Sequence, residues 1–202
     1  PYNTIFNNLL SKMHSIILLE YNEDKSFFLE PQNALSLLLD AEKTQNGKII
    51  SSDTFTIVAS RIGKSDQMIT SGKISNLIKK EYGEPPHTII IPGSLHFTES
   101  NAIKVVTKCL DEPFDNSTNV KGVSEQMIEK YVPMVREALN EIKPHYENLK
   151  EYEDVLINAK LYIDDAENFL KEGKKEYAVL SIGYADGLVD AFSIAKGFDP
   201  KM

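Results

Sequence analysis

A single cysteine, Cys109, in a chain of 202 residues excludes an internal disulfide, and a chain without disulfides suits a reducing compartment. Histidine is scarce as well. His14, His87, His96 and His145 include no His-x-x-x-His pair and have no second cysteine to join them, so no metal-ligand spacing is present and no metal is expected. The sequence lacks a Gly-x-Gly-x-x-Gly or Walker loop to cradle phosphate, and it lacks the Gly-x-Ser-x-Gly elbow of an esterase. Positive charge is in deficit: 22 Lys+Arg stand against 30 Asp+Glu, a net charge of −8. That balance argues against a general nucleic-acid binder, which needs a basic surface to neutralise phosphates. No signal peptide is apparent and no apolar run reads as long enough for a bilayer. A cytoplasmic protein with no membrane partner is the expectation. Asn116-Ser117-Thr118 has the form of a glycosylation sequon but reads as a plain loop.

What is present is an apolar fraction of 42%, enough for a packed core. Two regions with different periods follow one another. Up to about residue 112, short apolar runs alternate with helical patterns. Ser15-Ile16-Ile17-Leu18-Leu19-Glu20-Tyr21, residues 55–61 and His87-Thr88-Ile89-Ile90-Ile91 have strand length and β-branched content. Residues 26–30 and 67–70 are weaker strand candidates. Helical spacing appears at 2–13, at 33–44 through Ala34, Leu37, Leu38 and Ala41, at 73–82 through Ile74, Leu77 and Ile78, and at 100–110 through Ile103, Val106 and Leu110. Interleaved strands and helices predict an α/β or α+β layer. Because the chain opens on Pro1 and enters a helical pattern at once, a preceding segment is expected.

Residues 113–122 are polar and read as a linker. Residues 123–202 read as an all-α three-helix bundle. Ser124 is the expected N-cap of the first helix, which carries Ile128, Val132, Val135, Leu139 and Ile142 inward, is interrupted at Pro133 and stops at Pro144. The second is expected over 147–172, ended by Gly173. The third, over 175–196, has Ala178, Gly183, Ala185, Gly187, Ala191 and Ala195 as a small-residue seam. Both regions are acidic: 11 Lys+Arg face 14 Asp+Glu up to residue 115, and 11 face 16 beyond it.

Candidate chemistry gathers at strand ends, where loops of an open sheet diverge and ligands collect. Leu19-Glu20, Arg61-Ile62-Gly63 and His87 after Pro85-Pro86 occupy such positions. Each also has an ordinary explanation. Glu20 suits a solvated strand end, Arg61 a surface ion pair and His87 a capped strand entry.

The order His14 to Glu20, Asp53-Thr54-Phe55, Arg61-Ile62-Gly63-Lys64-Ser65, then Pro85-Pro86-His87 through Ile91-Pro92-Gly93-Ser94-Leu95-His96 resembles the diphthine synthases. The likeness covers roughly residues 1–105, and its Pro-Pro-His…Pro-Gly…Leu-His segment is the specific part. It implies an α/β subdomain of the tetrapyrrole-methylase type over residues 1–112, the C-terminal half of a two-subdomain methyltransferase. The family uses S-adenosyl-L-methionine, held in a cleft between subdomains, to methylate an amino group on a modified histidine of translation elongation factor two. By position Leu19, Ile62 and His87 match the family's cofactor contacts, with Ile62 replacing a smaller residue. The resemblance assigns no catalytic base, and His96 and Glu20 stay open for that role. It implies that the N-terminal subdomain is missing from this chain, and a homodimer is among the states it suggests. Residues 178–191 resemble the last helix of a small archaeal helical domain of unknown function. Tyr184 is read there as a seam residue, and Asp186 and Asp190 as wet-face residues. A non-catalytic scaffold protein and a small-molecule methylase of the tetrapyrrole type are the rival readings.

Overall fold

A computed structural model describes residues 1–22, 24, 25, 27–146 and 149–198. The chain divides into two compact units, Pro1–Lys121 and Gly122–Met202.

The first unit is a mixed sheet with helices on both faces. In chain order its elements are α1 (Tyr2–Leu10), β1 (Ser15–Leu18), β2 (Tyr21–Asn22), β3 (Phe27–Phe28), α2 (Pro31–Gln45), β4 (Phe55–Ser60), β5 (Met68–Lys73), α3 (Ile74–Leu77), β6 (His87–Ile91), α4 (Phe97–Val106) and β7 (Lys108–Cys109). The strand order is β1-β6-β4-β5-β7, with β2 and β3 forming a separate small hairpin. β6 runs antiparallel to both of its neighbours, β1 and β4, and only the β5–β7 pair is parallel. Central β4 is buried at every residue, as expected of a strand covered on both faces. β6 alternates between buried and half-buried positions with the period of two that strand geometry imposes. On one face Val58, Ile89 and Ile91 pack with Ile5 and Leu9 of α1, Leu35 and Leu38 of α2, and Ile74 and Leu77 of α3. On the other, Phe55 and Ile57 meet Ile103 of α4.

Sequence and structure part company where the sheet overrides local pattern. The helical spacing over 73–82 yields only the single turn of α3, because Lys73 is held in β5 opposite Phe55. The pattern over 100–110 is shared between α4 and β7, since Leu110 donates its N–H to the Ser71 carbonyl and extends the sheet. Val106, expected inward, is exposed. Ser26, the first residue of one weak strand candidate, lies outside the described residues.

Residues 113–121 belong to the first unit and do not form a free linker. Asn116 acts as an extra rung beside β4: its amide nitrogen donates to the carbonyls of Phe55 (2.8 Å) and Pro92 (2.8 Å), and its oxygen accepts from the Phe55 N–H (2.9 Å). Phe114 meets the Phe55 ring edge-on. A second anchor is Glu42 on α2. Its carboxylate accepts from the Tyr2 hydroxyl (2.6 Å) and from the N–H groups of Lys48, Ile49 and Ile50, which fixes the loop between α2 and β4. Burial would raise its pKa, but the Tyr2 hydroxyl and these N–H donors outweigh that and hold it below the usual carboxylate value.

The second unit contains α5 (Val123–Ile142), α6 (Lys150–Lys171) and α7 (Lys175–Ala195). Its N-cap is Gly122, two residues before the expected Ser124; the Gly122 N–H donates to the Glu125 carboxylate at 3.1 Å. α5 continues through Pro133 and gives way to a 3₁₀ turn at Lys143–His145. The expected start of α6 at Glu147 lies outside the described residues. Gly173, at a positive φ of 76°, turns the chain between α6 and α7. The core contains Ile128, Val132 and Leu139 of α5, Leu156 and Ile163 of α6, and Ile182, Val189 and Phe192 of α7. Tyr146 closes one end, its ring against Phe192 and its hydroxyl donating to the Phe192 carbonyl at 2.9 Å. Arg136 pairs with Asp164 and Glu167, tying α5 to α6.

The small-residue seam divides over two faces of α7. Ala178 and Ala185 are fully buried, whereas a Cβ added at Gly183 or Gly187 would meet nothing within 4 Å. α7 is also long and apolar enough, by length and composition, to cross a membrane, contrary to the sequence reading; Ala178, Ser181, Ile182, Ala185, Val189 and Phe192 are nonetheless buried in the bundle.

Two outcomes follow for the first unit. Asn116→Ala leaves the fully buried Phe55 with an orphaned N–H and C=O, and each such group costs about 1–3 kcal/mol; urea unfolding should show a loss of roughly 3 kcal/mol. Glu42 has a depressed folded-state pKa, so its contribution is present above the unfolded-state value and is lost as pH falls through the folded one. Stability measured from pH 6 downward should decline less steeply in Glu42→Gln than in the parent.

Candidate functional site

The antiparallel pairing of β6 with both β1 and β4 places its first residue beside the last residues of the other two. Leu18 lies opposite Thr88 and Ser60 opposite His87. The Leu19 N–H donates to the His87 carbonyl at 3.2 Å, and the Arg61 N–H donates to the Pro86 carbonyl at 3.0 Å. Leu19 therefore lies beside His87, about one strand spacing of ~4.8 Å away, with Ser60 of β4 on the other side and Ile62 in the turn that follows β4. Leu19 and His87, separated by 68 positions of sequence, thus meet at one edge of the sheet, where the turn that holds Ile62 begins.

Their side chains have different environments. His87 is 3% exposed. Its Nδ1 lies 2.9 Å from the Ser60 hydroxyl, and the Phe28 ring stands 6.0 Å from the imidazole. Nε2 is buried without a hydrogen-bond partner of normal geometry. Burial, followed by the nearby Arg61 charge, pushes the imidazole pKa below its usual value, against opposing contributions from Glu30, Glu84 and the Gly83 backbone. The ring is thus neutral near pH 7, with Nε2 enclosed. Leu19 is half-buried and lines an apolar groove of about 400 Å³ together with Tyr2, Leu29, Leu37, Leu38 and Ile89. Ile62 is exposed. Neither His87 nor Ile62 lines that groove, so the three residues share a sheet edge and not a single cavity.

Arg61 is a buried post, not a surface ion pair. It is 7% exposed, adopts a positive φ of 51° and donates to the carbonyls of Tyr82 (2.8 Å), Asp66 (3.0 Å) and Glu84. Its Nε faces the Asp66 carboxylate at 2.7 Å. The guanidinium thereby holds both the loop after β4 and the loop before His87. Sequence reading missed this role; the one available signal was an arginine directly following an otherwise apolar strand.

The rest of the Pro-Pro-His…Pro-Gly…Leu-His segment is structural. A Cβ on Gly93 would collide with the Lys12 and Met13 backbone, and the Gly93 N–H donates to His14 Nδ1 at 3.0 Å. His14 Nε2 in turn lies 3.3 Å from Glu99. His96 caps α4, accepting from the Thr98 N–H while its own N–H donates to Glu99. That capping occupies the His96 backbone and Nδ1 in helix formation, and Glu20 is exposed beside β2. In the second unit Tyr184 is exposed, stacked on Tyr162, and is not a seam residue. Asp186 is half-buried beside a cavity of about 220 Å³ lined by Met127, Tyr131 and Ile182. Burial and then the neighbouring Asp190 raise its pKa. Among the described residues no group of three or more His, Cys, Asp and Glu is placed to hold a metal ion.

The chain is 39% identical to the diphthine synthase of Methanococcus maripaludis over 104 residues, 52% of this chain and 41% of that protein. It is 40% identical to that of Methanocaldococcus jannaschii over 106 residues, again 52% and 41%. Half of this chain is similar to diphthine synthases. The diphthine synthase of Sulfurisphaera tokodaii matches at 32% identity over 109 residues, 54% of this chain and 42% of that protein. The chain thus spans about two fifths of the length of the curated relatives it matches. A crystal structure of a putative diphthine synthase from Entamoeba histolytica aligns with a TM-score of 0.48 at 24% identity, over 52% of this chain and 43% of that one. Residues 130–198 match a family described as a protein of unknown function, DUF357. An α/β unit similar to part of a diphthine synthase is therefore followed by a helical bundle.

The buried imidazole generates a testable outcome. A His with a depressed folded-state pKa binds fewer protons than the unfolded chain, so stability is full above the unfolded value near 6.5 and falls as pH drops below it. NMR titration of the His87 ring should place its midpoint below the ordinary imidazole value near 6.5. A His87 midpoint at or above about 6.5 would contradict the buried, neutral ring.

Proposed function

We propose that the first unit forms one wall of the cofactor cleft of an S-adenosyl-L-methionine-dependent methyltransferase of the diphthamide pathway. In this reading the acceptor is the amino group of the modified histidine of translation elongation factor two, the opposite wall of the cleft comes from outside these residues, and the setting is the cytoplasm. The observation that carries the proposal is the placing of Leu19 beside His87 at the sheet edge where the turn holding Ile62 begins, in a chain 39% identical to a diphthine synthase over half its length.

The residues at that edge fit such a cofactor. A nucleoside with an amino-acid tail needs apolar walls, backbone donors and acceptors, and few charged side chains. Leu19 and Ile62 supply apolar surface, and His87 Nε2 is a buried polar atom without a partner. When bound, the cofactor supplies an electrophilic methyl group on a sulfonium, whose departure as a neutral thioether requires neither a metal nor a covalent nucleophile. The protein's task is then positioning. Neutral His87 can hold a hydrogen-bonding group of the cofactor without charge repulsion against the sulfonium. Arg61 acts on His87 indirectly, by fixing the loop that precedes it. The acceptor amine must be uncharged to attack, and no proton acceptor for it is assigned among these residues.

In a second reading the unit is a non-catalytic scaffold. S-Adenosylhomocysteine titrated calorimetrically into this chain, mixed with the N-terminal portion of the Methanocaldococcus jannaschii enzyme, separates the two. Binding is expected, weakened about tenfold by His87→Ala. No binding by the mixture would favour the scaffold. Mass spectrometry of elongation factor two after incubation with that mixture should show added methyl groups on the modified histidine; methylation of a tetrapyrrole instead would identify a small-molecule enzyme.

A further inference from the structure

α5 and α6 carry charge on their wet faces, as solvated helices do. The exposed residues of α6 include Glu151, Glu153, Asp154, Lys160 and Asp165. α7 differs. Of its exposed residues only Glu176, in the first turn, is charged. The remainder of that face contains Tyr177, Leu180, Tyr184 and Ile194, which are 60%, 66%, 58% and 62% exposed. Gly187 and Ala191 complete the row. A stripe of large apolar side chains along the whole length of a helix, nearly free of charge, marks a contact surface.

The order of residues along this stripe selects the partner. Positions 177, 180, 184, 187, 191 and 194 alternate steps of three and four, the spacing of a two-helix seam. Read against its own reverse, the row is self-complementary: 177 with 194, 180 with 191 and 184 with 187 share one midpoint. In that register Tyr177 meets Ile194, Leu180 meets Ala191 and Tyr184 meets Gly187. Each bulky residue faces a smaller one, which is how facing side chains interdigitate. A parallel pairing would set Tyr against Tyr and Gly against Gly and would leave voids. Gly187 has no counterpart inside the bundle, since an added Cβ there would meet nothing. Glycine weakens a helix interior, and a Tyr184 ring from another copy gives the missing side chain a reason.

We infer that two copies of this chain pair through antiparallel α7 helices, about a two-fold axis passing between Ala185 and Asp186. A surface patch that matches its own reverse is what an isologous dimer requires. The helix is about 31 Å long. With Leu161 and Tyr162 of α6 at its flank, the paired faces bury on the order of 1,000 Å², the lower end for a specific interface. The dimer is expected to be reversible. This inference concerns the second unit and does not depend on the methyltransferase reading.

Sedimentation velocity of the full chain at micromolar concentrations should show a monomer–dimer equilibrium. Tyr184→Lys should raise its dissociation constant about tenfold or more, with helical content by circular dichroism unchanged because the bundle core is untouched. The register is tested in a Cys109→Ser background. Leu180→Cys combined with Ala191→Cys should yield a disulfide-linked dimer on mild oxidation, and either cysteine alone should not. A monomer throughout the range would overturn the inference, as would self-cross-linking of the single-cysteine variants, the mark of parallel pairing. Monomers that sediment with phospholipid vesicles would instead assign the face to a membrane. Monomers whose α7 amides gain hydrogen-exchange protection from the presence of residues 1–121 would assign it to the first unit.

Discussion

The first unit depends on one strand being antiparallel to both of its neighbours. β6 enters the sheet between β1 and β4, and its start is therefore forced to lie beside their ends. Had β6 run parallel to either, His87 would sit at the opposite edge of the sheet from Leu19 or Arg61. The direction of a single five-residue strand thus decides whether three distant segments meet at one edge of the sheet. It also decides the burial of the histidine, because the alternation that buries Ile89 and Ile91 against α1 and α2 places His87 on the same face.

That pairing is held by polar side chains that reach backbone groups far away in sequence. Asn116 completes β4, Glu42 gathers the N–H groups ahead of it, and Arg61 collects the carbonyls ahead of β6. Each replaces water for buried backbone groups that no strand or helix satisfies, and an unmet group of that kind is costly. The cofactor-motif resemblance and the folding machinery overlap here. Gly93 and His96 lie in the Pro-Pro-His…Pro-Gly…Leu-His segment, yet their contacts serve chain approach and helix capping. Of that segment, only His87 leaves a buried polar atom without a partner.

The helical unit is organised on a simpler principle. Its core is a layer of aliphatic residues sealed by the Tyr146, Tyr152 and Phe192 rings, with ion pairs between α5 and α6 on the outside. α7 has two apolar faces. One is consumed by the core. The other follows a regular seam spacing in its own right, and the small residues divide between the two according to which needs close approach.

Local pattern determined a good deal. The strand β6 appears over the residues its β-branched run indicates, the inward residues of α5 are those of its helical period, and the change from interleaved to purely helical pattern coincides with the passage from one unit to the next. These features depend on periodicity, which neighbours in sequence carry among themselves. Tertiary structure decided the rest. It shortened the helix after Lys73, drew the polar stretch around Asn116 into the sheet, buried Arg61 and exposed Tyr184. Each of those outcomes depends on a backbone group or surface supplied by a segment tens of residues away. A one-dimensional pattern records which residues are apolar or polar, but not which distant donor, acceptor or face will reach them.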